Sequence, residues 1–286
     1  MLAIESDFET LWKIGSIHLS KGNGKISRNV GAFNLPVVRT CPYAWDCHAY
    51  CSGKRAENGW PHVTCARWDN FYASRRSSFV DEMVNRITTM GLMVVRFHES
   101  GDVYLPRYAE DLAQIARRLP DRRFYLYTKS IPYVAALKQV RNFTVIFSFG
   151  GARDHLIDRQ TDNYARVVDT PSEVQPGEYL CPAVAHAETE DQKICGVLCT
   201  YCQGDGHQVR VCFIKELKGK NWTANPRAPP RPTGNSPESA FSLSQQITQP
   251  DVSVASEFRC SDVLATSCSS TSIESERSRR ARGCEP

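Results

Sequence analysis

The sequence lacks any apolar run that approaches the roughly 20 residues of a membrane-spanning helix. Residues 1–9 also lack the basic region followed by an apolar one that marks a secretory signal. We therefore expect a cytoplasmic protein with no membrane partner. In a reducing compartment, clustered cysteines more often bind metal or carry out redox chemistry than form structural disulfides.

An excess of one charge is missing as well. Lys and Arg number 35 and Asp and Glu number 31, which gives a formal net charge of +4. Nucleic-acid-binding domains usually combine a pI above about 9 with clustered basic residues. No strand-like run is followed by the Gly-Lys-Ser/Thr sequence of a phosphate-binding loop, and the Gly-Asn-Gly at residues 22–24 indicates only a turn. Composition and motifs therefore favour neither a nucleic-acid-binding domain nor a protein with a phosphate-binding loop.

Strand-like and helix-like segments alternate through the middle of the chain. The strand-like runs are residues 92–97, 124–130 and 143–149, and the helix-like segments are residues 79–91, 106–119 and 132–140. This alternation predicts an α/β protein whose parallel strands are joined by right-handed crossover helices. Both a partial (β/α) barrel and an open parallel sheet fit the pattern.

Three regions follow from composition. We expect residues 1–180 to form the α/β core with an N-terminal cysteine loop, and residues 181–218 to form a Cys-rich metal-binding segment packed on that core. Residues 219–286 are rich in Pro, Ser, Thr and Gln without apolar periodicity, which predicts a disordered tail.

Cysteine is abundant, with 12 residues, and Cys41, Cys47 and Cys51 lie within eleven residues. Three such close thiols cannot all pair with one another, but all can face one metal centre. An iron–sulfur cluster is held by thiolates, whereas a structural zinc ion needs a fourth ligand. Three nearby residues are candidates for that ligand: His48, His62 and Cys65. Spacing alone does not separate the two metals.

A second group comprises Cys181, Cys195, Cys199 and Cys202. Four thiols with closed coordination fit either structural zinc or a second iron–sulfur cluster. Cys212 lies in an apolar strand-like run, and we expect it in the core.

Polar or glycine residues follow each predicted strand: Cys41, then residues 98–102, 128–130 and 148–151. The carboxyl ends of parallel strands share one edge, where functional side chains gather. The pattern therefore predicts one shared pocket. A packing alternative stays open for the residues after the second strand, which can simply cap the following helix.

The first cysteine loop, with Tyr50 directly before Cys51, resembles the cluster loop of radical S-adenosylmethionine enzymes. The resemblance implies a [4Fe–4S] cluster on three cysteines, with one iron open to the methionine part of S-adenosylmethionine. It also implies that Ser100, Gly101 and Asp102 bind the cofactor's amino group. Three further candidate cofactor contacts are His98, Thr128 and Lys129. The usual Cys-x3-Cys-x2-Cys spacing is narrower than the spacing found here.

A closer resemblance, over roughly residues 20–215, is to the phage gene product 88 family. The segments that carry it are residues 33–36, 40–42, 47–51, 96–104 and 124–130. It implies little about substrate, although a phage context makes a nucleotide or nucleic acid a reasonable class by analogy. Aromatic and basic residues at 68–76 can stack on a nucleotide strand, but the buried side of a helix is the favoured interpretation.

We therefore expect a radical S-adenosylmethionine-like iron–sulfur enzyme acting on an unknown substrate, with an electron donor as partner. One alternative is a non-enzymatic, zinc-stapled α/β protein that binds nucleic acid or a partner protein. Another is an iron–sulfur protein that only transfers electrons.

Overall fold

A computed structural model describes residues 15–23, 26–49, 51–182, 195–196, 199–204 and 206–214. The predicted disordered tail and residues 183–194, which lie between Cys181 and Cys195 of the second group, are outside the described residues.

The protein is built on an eight-stranded sheet of order β1-β2-β3-β4-β5-β6-β8-β7. The strands are β1 (Leu19–Lys21), β2 (Val30–Phe33), β3 (Val94–Phe97), β4 (Arg123–Thr128), β5 (Phe143–Ser148), β6 (Tyr164–Val168), β7 (Tyr179–Leu180) and β8 (Arg210–Ile214). Only β1 runs antiparallel to its neighbour, and the other adjacent pairs are parallel. The α/β prediction is confirmed. Of the two architectures, the structure supports the open sheet, since among the described residues no pairing joins β1 to β7.

Within the described residues, five α-helices accompany the sheet: α1 (Ser52–Gly59), α2 (Pro61–Ala73), α3 (Phe79–Thr89), α4 (Pro106–Arg118) and α5 (Ala135–Lys138). The first and second predicted crossover helices correspond to α3 and α4. The third is shorter than predicted, because residues Ile131–Tyr133 form a 3-10 turn before α5 begins. Among the described residues, no helix is both long and apolar enough to cross a membrane.

Each strand of the sheet directs alternate side chains to opposite faces. On one face Phe97, Phe124 and Phe143 stack with ring centroids 5.9–6.1 Å apart, beneath a helical layer that includes the fully buried Leu112 of α4. Tyr125 belongs to a second, smaller apolar cluster, which three cysteines of the second group contact: Cys181, Cys195 and Cys202. The two cysteine groups therefore meet different parts of one sheet.

Replacing Phe97 with alanine removes the ring that stacks on both neighbouring phenylalanines. We expect the free energy of unfolding to fall by about 3–5 kcal/mol, because a cavity replaces a fully buried aromatic side chain. Urea denaturation followed by fluorescence measures the change. The exposed Arg117→Ala substitution on α4 is the control and should stay within about 0.5 kcal/mol. Similar losses for both variants would contradict this packing.

Candidate functional site

The first cysteine loop lies across the carboxyl ends of the central strands. Leu35 and Ser100 are joined twice, because the Leu35 amide donates to the Ser100 carbonyl at 3.0 Å and the Ser100 hydroxyl donates to the Leu35 carbonyl at 2.8 Å. Farther along the loop, Ala44 forms an antiparallel bridge with Gly151, just after β5. The loop is thus fixed at the ends of both β3 and β5.

Gly101 lets the loop approach the end of β3 closely. Its φ of +81° is in the left-handed region, and a Cβ there would lie 2.6 Å from the Thr40 hydroxyl and 2.6 Å from the Leu35 Cβ. Only glycine has no side chain to meet these atoms. The residue that directly precedes Cys41 therefore packs against the backbone of the strand end.

Asp102 connects the ends of β3 and β4. Its carboxylate accepts hydrogen bonds from the Thr128 hydroxyl at 2.6 Å, the Val103 amide at 2.7 Å and the Lys129 amide at 2.8 Å. Burial raises the pKa of Asp102, and these donated hydrogen bonds oppose that shift. The side chain is only 5% exposed, so its charge acts on the groups packed around it.

The three thiols of the loop interact with one another. The Cys47 thiol donates to the Cys51 sulfur, which lowers the pKa of Cys51 to about 6 and raises that of Cys47. Backbone amides of Gly53 and Lys54, at the start of α1, lower the Cys51 pKa further. Helix N-termini stabilise thiolates in this way.

Cys41 is the most deeply buried of the three thiols and lies near Asp102. Burial raises the pKa of Cys41 to about 12, and the negative charges of Asp102 and Cys51 raise it too. A bound cation would remove this penalty, because metal ligation favours the deprotonated thiol.

Lys129 places a fixed positive charge beside the thiols. Its ammonium group donates to the Ser148 hydroxyl at 2.8 Å, the Ser148 carbonyl at 3.1 Å and the Phe149 carbonyl at 2.7 Å. The same charge acts to lower the pKa of Cys47. Lys129 is therefore held at the ends of β4 and β5 and is not a solvated loop charge.

His98 is set apart from the other candidate contacts. It has a φ of +62° and is buried, and its Nε2 lies 2.9 Å from the Tyr108 hydroxyl of α4. Burial lowers the pKa of His98 to about 3, so the ring is neutral. Sequence spacing placed it with the strand-end group, but the left-handed backbone turns the ring toward α4.

Two features of the loop have no clear sequence signal. Val38 has a φ of +67°, an uncommon and strained conformation for a β-branched residue. The Glu57 carboxylate accepts from the Val37 amide and from Arg67, both at 3.0 Å, and Arg67 also reaches the Gly53 carbonyl at 2.9 Å. This largely buried ion pair links the loop to α1 and α2.

The stretch at residues 68–76 follows the packing interpretation. Phe71 is 4% exposed, and Trp68 and Tyr72 pack against the same core. Arg75 lies over the Phe71 ring, 5.6 Å from its centroid.

The second cysteine group lines one small cavity of about 20 Å³. Its four members are Cys181, Cys195, Cys199 and Cys202. Cys212 is fully buried in β8 and donates to Glu178 at 3.1 Å, as expected for a core residue.

The donor chemistry at both groups suits a thiolate-bound metal centre, but the side chains are not spaced as ligands. Within the described part of the chain, no set of three or more His, Cys, Asp or Glu side chains has a geometry that would hold a metal ion. One further donor lies near the first loop: His48 follows Cys47 directly, and its buried Nε2 has no hydrogen-bond partner among the described residues.

Residues 13–223 match the family model described as Gene product 88, and this range includes every candidate residue named above. No curated protein matches the chain. No solved structure matches it either. The resemblance to radical S-adenosylmethionine enzymes therefore stays a prediction.

The Cys51 thiol should be the most reactive of the loop in metal-free protein. With a pKa of about 6, it is largely thiolate at neutral pH, and the thiolate is the nucleophile. Alkylation by iodoacetamide, mapped by mass spectrometry, should rise with pH around that value at Cys51 and stay slow at Cys41. Faster labelling of Cys41 than Cys51 would contradict the site's electrostatics.

Asp102→Asn keeps the shape of the side chain but replaces one acceptor oxygen with a donor. At least one of the three donors that bind Asp102 then loses its acceptor, so we expect a loss of about 1–3 kcal/mol in the free energy of unfolding. Urea denaturation measures it. Asp121→Asn, whose side chain is 63% exposed, is the matched control and should change little. Equal losses of unfolding free energy in the two variants would show that the hydrogen bonds of Asp102 at the ends of β3 and β4 contribute nothing to stability.

Proposed function

The chain belongs to the Gene product 88 family, and we propose that its loop of Cys41, Cys47 and Cys51 binds a [4Fe–4S] cluster in a radical S-adenosylmethionine-like enzyme. The observation that carries the proposal is the mutual interaction of these three thiols at the carboxyl ends of parallel strands. A three-cysteine ligand set leaves one iron free for a small-molecule ligand. Cys41, Cys47 and Cys51 would hold this cluster, which would supply the electron for reductive cleavage of S-adenosylmethionine and so for radical chemistry on a substrate.

The chain's own residues have defined tasks in this proposal. Lys129 offsets the negative charge that builds up when the thiols ionise, since it already acts on Cys47. Asp102 uses three acceptor positions within the protein, and a carboxylate offers about four. One position therefore remains for the ammonium group of the cofactor, next to Ser100 and Gly101.

A nucleotide or nucleic acid is the substrate class that we propose. Next to the loop, the rings of Tyr43 and Tyr133 lie 5.2 Å apart, and the guanidinium of Arg153 lies 5.7 Å from the Tyr43 centroid. Aromatic rings and arginine planes are the groups on which bases stack, and the arginine charge also attracts phosphate.

A zinc-stapled, non-enzymatic protein is the second candidate, and His48 is the observation that favours it. Its unpartnered, buried Nε2 can complete a set of three cysteines and one histidine around zinc. Burial lowers the pKa of His48, which keeps the ring in the neutral form that binds metals.

Anaerobic purification followed by analysis of metal and sulfide tests the proposal. We expect iron and sulfide in equal amounts, retained in Cys212→Ala and lost in each of three variants: Cys41→Ser, Cys47→Ser and Cys51→Ser. Reduction in the presence of S-adenosylmethionine should release 5′-deoxyadenosine.

Two outcomes would overturn the enzyme proposal. A colourless protein whose zinc at the first loop is lost in His48→Gln would establish the second candidate. A protein that contains iron and sulfide but releases no 5′-deoxyadenosine would instead be an electron-transfer protein.

A further inference from the structure

We propose that the cavity of the second cysteine group binds a single Zn²⁺ ion through Cys181, Cys195, Cys199 and Cys202, and that side chains of β3 and β4 balance its charge. This inference concerns different cysteines from the first loop and does not depend on what that loop binds.

The four thiols line one cavity of about 20 Å³, and a body the size of one water molecule needs about 10–15 Å³. A single ion therefore fits between them. Four thiolates around one ion are a common structural zinc site, with sulfur about 2.3 Å from the metal. The four thiols are not spaced as ligands in the structure, so the proposal requires them to move closer together when the ion binds.

Backbone contacts bring the four cysteines to the cavity. The Cys181 amide donates to the Cys212 carbonyl of β8 at 2.9 Å, and the Gly196 amide donates to the Cys199 carbonyl at 2.9 Å. Gly196 has a φ of +92°, and a Cβ there would lie 2.5 Å from a methyl carbon of Val30. Gly196, which directly follows Cys195, therefore packs against β2.

Four thiolates and one Zn²⁺ carry a net charge of −2, which is costly to bury unless it is balanced. Arg96 of β3 supplies a positive charge on this face of the sheet. Its guanidinium carbon lies 5.0 Å from the Tyr127 ring centroid, and its Nη1 lies 3.8 Å from the Glu99 Oε1. The Arg96 Nε is buried and has no hydrogen-bond partner among the described residues.

Tyrosine hydroxyls extend this arrangement. The Tyr127 hydroxyl donates to the Cys202 sulfur at 2.7 Å, and Tyr125 is hydrogen-bonded to Cys195. The two tyrosines occupy alternate positions of β4, so both face the cavity. Donors to ligand atoms that lie outside the metal's own coordination shell orient those ligands and raise metal affinity.

Metal content of the full chain and two serine variants provides the first test. We expect about one zinc ion per chain in the unmodified protein. Cys202→Ser should lose that zinc and keep the metal of the first loop, whereas Cys41→Ser should keep the zinc. Loss of iron from Cys202→Ser, or absence of zinc from the unmodified protein, would overturn the inference. If the first loop binds zinc instead of a cluster, the unmodified protein holds about two zinc ions per chain and Cys202→Ser loses one of them, so the two proposals fail separately.

Substitution of the charge-balancing side chains provides the second test, and it does not require removal of a ligand. Arg96→Gln and Tyr127→Phe should each weaken zinc binding by about 10–100-fold in competition with a chelator, while Arg96→Lys should restore much of the affinity. Two matched controls, Arg117→Gln and Tyr104→Phe, should leave it unchanged.

Cobalt substitution shows whether the ion keeps its ligands in these variants. We expect Co²⁺ in Arg96→Gln to retain the absorption bands of a tetrahedral four-thiolate site, because only affinity changes. Equal zinc affinity in Arg96→Gln and the unmodified protein, with the fold intact, would overturn the role of Arg96.

Discussion

Asp102, after β3, accepts three hydrogen bonds, two of them from the end of β4, and so joins the ends of these neighbouring strands. The first cysteine loop lies directly on that joint. Thr128 and Lys129 contribute two of the donors from β4. Gly101, one residue earlier, gives the loop its close approach. The charge of the Asp102 carboxylate also raises the pKa of the Cys41 thiol. The same joint therefore sets both the position and the electrostatics of the candidate site.

The two faces of the sheet have different roles, one in the core and the other at the second cysteine group. On β3 and β4, Phe97 and Phe124 pack into the helical layer, whereas Arg96, Tyr125 and Tyr127 project to the opposite face. The strand ends then carry a third set of side chains to the edge of the sheet. One pair of strands thus supports a stable core, the edge site and the second cysteine cavity through simple alternation.

The sequence predicted those parts of the fold that depend on local pattern. Apolar runs and helical periodicity identify β3 to β5, α3 and α4, and the polar residues after each strand place most of the edge site. The pattern missed the inward turn of His98, because a single left-handed φ leaves no periodic signal. It also missed the buried pair of Glu57 and Arg67, since both residues look like solvated helix charges.

The order of the last strands in the sheet could not be predicted from the sequence either. β8 inserts between β6 and β7, and Cys195 and Cys202 of the second group lie beside Tyr125 and Tyr127. No local propensity encodes such an order, because it depends on which strand edges remain available after the central sheet has formed.

Mössbauer spectroscopy of iron-57 protein, with and without S-adenosylmethionine, tests the central claim most directly. Three thiolates on a four-iron cluster leave one iron chemically distinct. The account predicts that one of the iron sites changes its spectrum when S-adenosylmethionine is added, while the others stay as they were. A spectrum that shows no cluster, or a cluster whose sites are all unaffected by S-adenosylmethionine, would contradict it.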